Sequence, residues 1–92
     1  MEPIEKDWLL KQVTIDEAEA EHMVLSDRLG PDPVPFGFQN ARWKELLVHM
    51  EDGDELWTFC SSIESWNSLA GREGLALLRK GQVIDTIVTA LS

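Results

Sequence analysis

The stretch from Gly74 to Leu91, GLALLRKGQVIDTIVTAL, constrains this chain more than any other. Two apolar runs flank Lys80-Gly81, and a two-residue turn containing glycine is the usual signal of a β-hairpin. In the second run Val83, Ile87 and Leu91 fall on one face and Ile84 and Val88 on the other, interrupted only by Asp85, Thr86 and Thr89. A strand apolar on both faces needs cover on both, from helices or from another subunit. That demand falls on a chain of 92 residues. A domain of this size buries only roughly 60% of its unfolded-state surface, which leaves a thin stability margin unless subunits associate.

The cover has to come from the preceding residues. Thr14 and Glu17 form the T-x-x-E pattern of a capping box, and Ile15, Ala18, His22, Leu25 and Leu29 follow at helical spacing up to Gly30-Pro31. This predicts one helix over 14–29 with a glycine stop. Before it, Pro3 at a first helical turn and Ile4 and Trp8 on one face favour a short helix over 3–12. A strand through Leu9, Lys11, Val13 and Ile15 is its rival. Residues 30–40, GPDPVPFGFQN, form a proline-rich loop, and Phe36 and Phe38 are expected to pin it to the body. Asn40 reads as the N-cap of a helix over 41–51 carrying Trp43, Leu46, Leu47 and Met50. The acidic turn around Gly53 leads into a strand at 56–60, and Ser61 or Ser62 caps a short helix with Ile63, Trp66 and Leu69, closed by Gly71.

The expected fold is therefore α+β, with N-terminal helices followed by a small, largely antiparallel sheet of at least three strands that ends in the C-terminal β-hairpin. Residues 1–92 make one domain, divided into a helical arm (1–29), the proline-rich loop (30–40) and a compact α+β unit (41–92). The orientation of strand 56–60 is left open, because its connection of roughly a dozen residues suits either choice.

Charge narrows the function classes. Seventeen acidic against eight basic side chains give a formal net charge of -9. Nucleic acid is excluded as a partner, since phosphate binding needs a basic face that releases counterions, and anionic lipid is disfavoured for the same reason. No apolar run reaches the roughly 18–20 residues of a membrane span, and the start of the chain lacks the pattern of a secretory signal. The single cysteine, Cys60, cannot staple the fold, so a reducing cytoplasm is the expected location.

From Gly37 onward the residues resemble a family of small uncharacterised bacterial proteins. The resemblance rests on Asn40-x-Arg42-Trp43, on the run Gly53-Asp54-Glu55-Leu56-Trp57-x-Phe59, and on Ser65-Trp66-x-x-Leu69-Ala70-Gly71-Arg72-x-Gly74. Arg79-x-Gly81 and Thr89 complete it. It covers about the last 56 residues and implies a lineage without an established activity.

No catalytic set can be assembled. Cys60 lies in an apolar strand, where a free cysteine acts as a small hydrophobe. Glu19-x-x-His22 is only half of a carboxylate-bridged metal site. The carboxylates around Gly53 lack the EF-hand pattern, and Gly71-Arg72-Glu73-Gly74 lacks the phosphate-loop pattern. His49 reads as solvated, near Glu45 and Asp52. No cofactor or metal is expected. Asp54 and Glu55 are placed to pair with Arg72, Arg42 or Arg79, and a structural pairing with Arg72 is preferred. Four tryptophans and three phenylalanines exceed what so small a core encloses. Trp8, His22, Phe36, Phe38, Trp43 and Trp66 are thus candidates for an interface or pocket. The favoured function is a non-enzymatic protein-protein interaction module, immunity- or antitoxin-like in class. It would act as a homo-oligomer, with an acidic surface that meets a basic protein partner. The alternative is a small-molecule binder with an aromatic-lined pocket.

Overall fold

Lys80 and Gly81 both take left-handed backbone, with φ of 51° and 78°, as the type I′ turn of a tight hairpin requires. They join β5 (Arg72–Arg79) to β6 (Gln82–Leu91). This hairpin forms half of a four-stranded antiparallel sheet in the computed structural model, which describes residues 4–91. The other half is β4 (Glu55–Cys60) and β1 (Leu9–Val13), in the order β1-β4-β5-β6, with every neighbour antiparallel. The protein is α+β, and the orientation of strand 56–60 is antiparallel to both of its neighbours.

Register assigns the two faces. Leu56 sits opposite Leu77, and Leu75 opposite Ile87. These four join Val13 on the inner face, where all are buried. Phe59 sits opposite Gly74, and Leu78 opposite Val83, on the outer face. The inner face is closed by α2 (Asn40–His49), whose Trp43 and Leu46 are fully buried, and by Ala18 of α1 (Ile15–Glu21). Each leucine-sized side chain enclosed there contributes roughly 1.5–3 kcal/mol. The outer face carries a second cluster of Phe59, Ala76 and Leu78, against which Ile4, Trp8 and Leu9 pack. A chain segment, not a helix layer, thus covers the outer side.

The helices are interspersed with the strands, so the expected order of helices first and sheet second does not hold. The favoured helix over 3–12 is absent. Lys6–Trp8 form one 3-10 turn, and Leu9–Val13 become the edge strand β1, while Pro3 lies outside the described residues. The rival strand forms, but its strict alternation does not hold: the register shifts between Leu9 and Lys11, so Val13 faces the buried inner cluster and Leu9 the outer one. The N-terminal segment therefore belongs to the sheet that the C-terminal unit builds.

The helix predicted over 14–29 ends early. Its capping box forms with both bonds in place: Glu17 N–H donates to Thr14 Oγ1 (3.1 Å), and Thr14 N–H to Glu17 Oε1 (2.9 Å). The helix nonetheless stops at Glu21. Met23–Val24 (β2) pair instead with Val34–Pro35 (β3) in a two-stranded ribbon. Alternate prolines keep the returning strand extended, and the Phe36 N–H donates to the His22 carbonyl (2.7 Å). A longer helix would have gained little, since no part of the core waits for Leu25, which is 69% exposed.

Asn40 is the first helical residue and not the cap. Its Nδ2 donates to the Pro35 carbonyl (3.0 Å), which ties the loop to α2. The short helix α3 (Ile63–Asn67) is capped by Ser62, which accepts from the Ser65 N–H. No helix among the described residues is long and apolar enough to cross a membrane.

Gly74 marks the tightest approach in the sheet. A Cβ placed there would lie 2.0 Å from the Ile87 carbonyl oxygen, beside the β6 irregularity at Glu73/Gly74. The obstacle is backbone in a packed sheet, so it cannot swing aside. Gly74→Ala is expected to cost about 2–3 kcal/mol, read as a melting temperature lower by roughly 10–20 °C. A variant that melts with the parent would show that β6 can shift freely at this point.

Candidate functional site

The end of α1 and the proline-rich loop meet over one end of the sheet's inner face. There the His22 ring stacks on Phe36 at 4.7 Å, and Phe36 stacks on Trp43 at 4.4 Å. Trp43 Nε1–H donates to the Glu19 carboxylate at 2.8 Å, so the buried indole has its polar atom satisfied. Phe36 itself has φ of 61°, a left-handed conformation that costs a bulky residue roughly 1–2 kcal/mol. Its burial between two rings holds it there. Gly37 follows because its backbone runs directly against Val24, where a Cβ would meet the valine at 2.9 Å.

His22, the outer ring of this stack, borders an open groove of about 570 Å³ across the strands. Glu21 and His22 line it from above, with Lys11, Thr58, Glu73 and Thr89 from the sheet. A shallower depression of about 440 Å³ shares Glu21, His22 and Thr89 with it and continues between Met23, Val24 and Phe38. The exposed apolar side chains of the depression are Met23, Val24 and Phe38, the last 71% exposed, and the exposed Leu25 follows β2 in the chain. Of the two rings expected to pin the loop, Phe36 does so and Phe38 is left in solvent.

The six aromatic and histidine candidates divide. His22, Phe36 and Trp43 form the stack, and Phe38 borders the depression beside it. Trp8 lies on the opposite face of the sheet with the Arg72 guanidinium 5.2 Å from its ring centroid. Trp66 covers Gly71, where a Cβ would fall 2.2 Å from the indole. Its Nε1 is buried without a hydrogen-bond partner among the described residues. The conspicuous glycine and tryptophan of the S-W-x-x-L-A-G-R-x-G run thus pack on one another.

The carboxylates also divide. Of the three arginines within consideration for Asp54, Arg79 is the one that reaches it, through Nε (2.9 Å) and Nη2 (2.8 Å). Arg79 Nη2 also donates to the His49 carbonyl and pairs with Glu51. The two-point hydrogen bond from Arg79, helped by the Glu51 N–H, holds the Asp54 carboxyl below its ordinary range. Glu55 accepts instead from Trp57 Nε1–H (2.8 Å). The carboxylate-rich turn is therefore a clasp between the α2–β4 connection and the end of β5. Cys60 is a half-buried free thiol in β4, and Glu19, half of the suspected metal motif, is taken by Trp43.

One polar cluster was not anticipated. Asp85, a lone acid in an apolar strand, is only 12% exposed. It accepts from the Arg42 guanidinium and from the Thr86 N–H, and lies 2.9 Å from His49 Nδ1. Arg42 also donates to the Thr86 carbonyl (2.7 Å). Both partners come from α2, so the cluster bolts that helix to edge strand β6 and guards the strand against pairing with another chain. The visible signal was the single carboxylate among Val83, Ile84, Thr86 and Ile87. Comparison with protein-family models, with curated proteins and with solved structures returned no match.

Burial pushes the Asp85 carboxyl up, but the hydrogen bonds from Arg42, His49 and Thr86 outweigh it and hold the group below its ordinary value. A lowered folded-state pKa stabilises the fold above the unfolded value, near pH 4, and the gain is lost as pH falls through the folded value. Asp85→Asn is therefore expected to cost about 1–2 kcal/mol at pH 7 in urea unfolding. The gap to the parent should narrow steadily below about pH 4. A gap unchanged down to pH 2 would assign the effect to packing and not to charge.

Proposed function

We propose that this chain is a non-enzymatic protein-protein interaction module whose acidic surface receives a basic protein partner. The observation that carries this is the gathering of Met23, Val24, Leu25 and Phe38 in solvent around the β2–β3 ribbon. A clustered exposed apolar surface of this kind marks a contact site, and the formal charge of -9 selects a cationic partner and speeds its encounter. An immunity- or antitoxin-like protein of a reducing cytoplasm fits this chemistry, and the motif runs between Gly37 and Thr89 are proposed as its lineage marker.

The alternative, a small ligand in an aromatic pocket, has less support. Trp43 is 1% exposed and Phe36 6%, so the stack is consumed in packing rather than offered to a ligand. The His49–Asp85 pair is read as structural because Arg42 shares the carboxylate and ties it to α2. Self-association is a second part of the proposal, and the outer sheet face favours it. Trp57, Val83 and Val88 remain half-buried there, behind a thin cover of Ile4, Trp8 and Leu9. Light scattering at high micromolar concentration should give twice the chain mass; a strict monomer removes this part alone.

Docking at the ribbon is tested by amide-resolved NMR with an amphipathic lysine/leucine peptide and its glutamate/leucine counterpart. Shifts are expected at 21–25 and 36–39 for the lysine peptide only, fading in 0.5 M salt as screening shortens to about 4 Å. Phe38→Ser should remove them while changing stability by less than about 0.5 kcal/mol. Equal responses to both peptides, or shifts spread over the whole surface, would overturn the reading.

A further inference from the structure

The carboxylates of this protein are unequally employed. Glu17, Glu19, Glu51, Asp54 and Asp85 each accept a hydrogen bond or ion pair from a neighbouring element or cap, and Glu55 accepts one from Trp57 within β4. The carboxylates of Glu21 and Glu73 take part in no ion pair or hydrogen bond among the described residues, yet both residues line the same groove. One comes from the last turn of α1 and the other from β5. Among the described residues Lys11 is the one lysine or arginine on that lining, and it forms an ion pair with neither glutamate. Two like charges bordering one concavity repel each other unless a cation is brought in.

The groove continues past Glu21 and His22 into the apolar depression of Met23, Val24 and Phe38. Resting on the protein-docking reading above, we infer that the occupant is an extended basic segment of a partner protein. Its arginine or lysine enters the groove between Glu21 and Glu73, and an apolar side chain next along the segment rests on Phe38 and Met23. Thr58 and Thr89 supply polar side chains along the sheet side of the groove, although their hydroxyls already donate to the carbonyls of Lys11 and Glu73. The apolar contact provides burial, and the paired carboxylates select against neutral and acidic segments.

The probe is a fluorescently labelled nonapeptide with two arginines and one leucine among glycine and serine, titrated onto the full chain by anisotropy. A second peptide replaces both arginines by citrulline, which keeps the shape and removes the charge. Binding is expected to weaken roughly tenfold with citrulline, and roughly tenfold in the Glu21→Gln, Glu73→Gln double variant, with an unchanged melting temperature. Equal affinity for the arginine and citrulline peptides, or full affinity in the double variant, overturns the groove inference. If Phe38→Ser still weakens binding in that case, the docking reading survives without it. No binding of either peptide also overturns the inference, while the lysine/leucine titration judges the docking reading separately.

Discussion

Trp43 is the point through which the parts of this structure are connected. Its ring lies against the inner sheet face with Leu46, its other side takes Phe36, and its indole N–H reaches Glu19 of α1. One side chain therefore touches the sheet, the first helix and the proline-rich loop. Without it the loop would lose the contact that holds Phe36 in a left-handed conformation. The groove would then lose the wall that His22 forms by stacking on Phe36. Apolar burial and a satisfied polar atom act together here, which is the condition for a buried tryptophan to contribute fully.

The charges are arranged around that core with a division of labour. Two arginines fasten elements that are distant in sequence: Arg79 closes the acidic turn onto β5, and Arg42 joins α2 to Asp85 on the edge strand. Both pairs sit at the margin of the sheet, where solvent still reaches the guanidinium groups and the desolvation cost stays moderate. The acids left over lie mostly on the surface, and the groove beside the ribbon holds two of them. The net charge is therefore a surface property with a location, and its apolar neighbour gives that location chemical meaning.

Much of the local structure was legible in the residues. The T-x-x-E box, the Lys80-Gly81 turn, the helix through Trp43 and Leu46, and the Ser62 cap all depend on atoms within a few positions of one another. Short-range rules reach them for that reason. The end of α1 was not legible, because the His22 carbonyl accepts a hydrogen bond from Phe36 N–H and the following strand pairs with a segment beyond Pro31 and Pro33. The edge strand β1 was legible only as the rival of a helix over 3–12. Its pairing partner β4 lies more than forty residues away, and the competing helical pattern was confined to two side chains.

The candidate site divides along the same line. His22, Phe36, Phe38 and Trp43 stood out by residue type, as aromatic rings in excess of what a small core encloses. That three of them stack and the fourth is left in water follows from the loop's path, which only the folded chain defines. The sequence alone determined an acidic α+β domain with a tight C-terminal hairpin and a surplus of rings, since composition and near-neighbour geometry suffice for those. Tertiary structure decided which acids are clasped and which line a groove. It also decided which face of the doubly apolar β6 meets α2 and which meets the N-terminal segment. Those outcomes depend on contacts between residues far apart along the chain, and no local pattern encodes the partner.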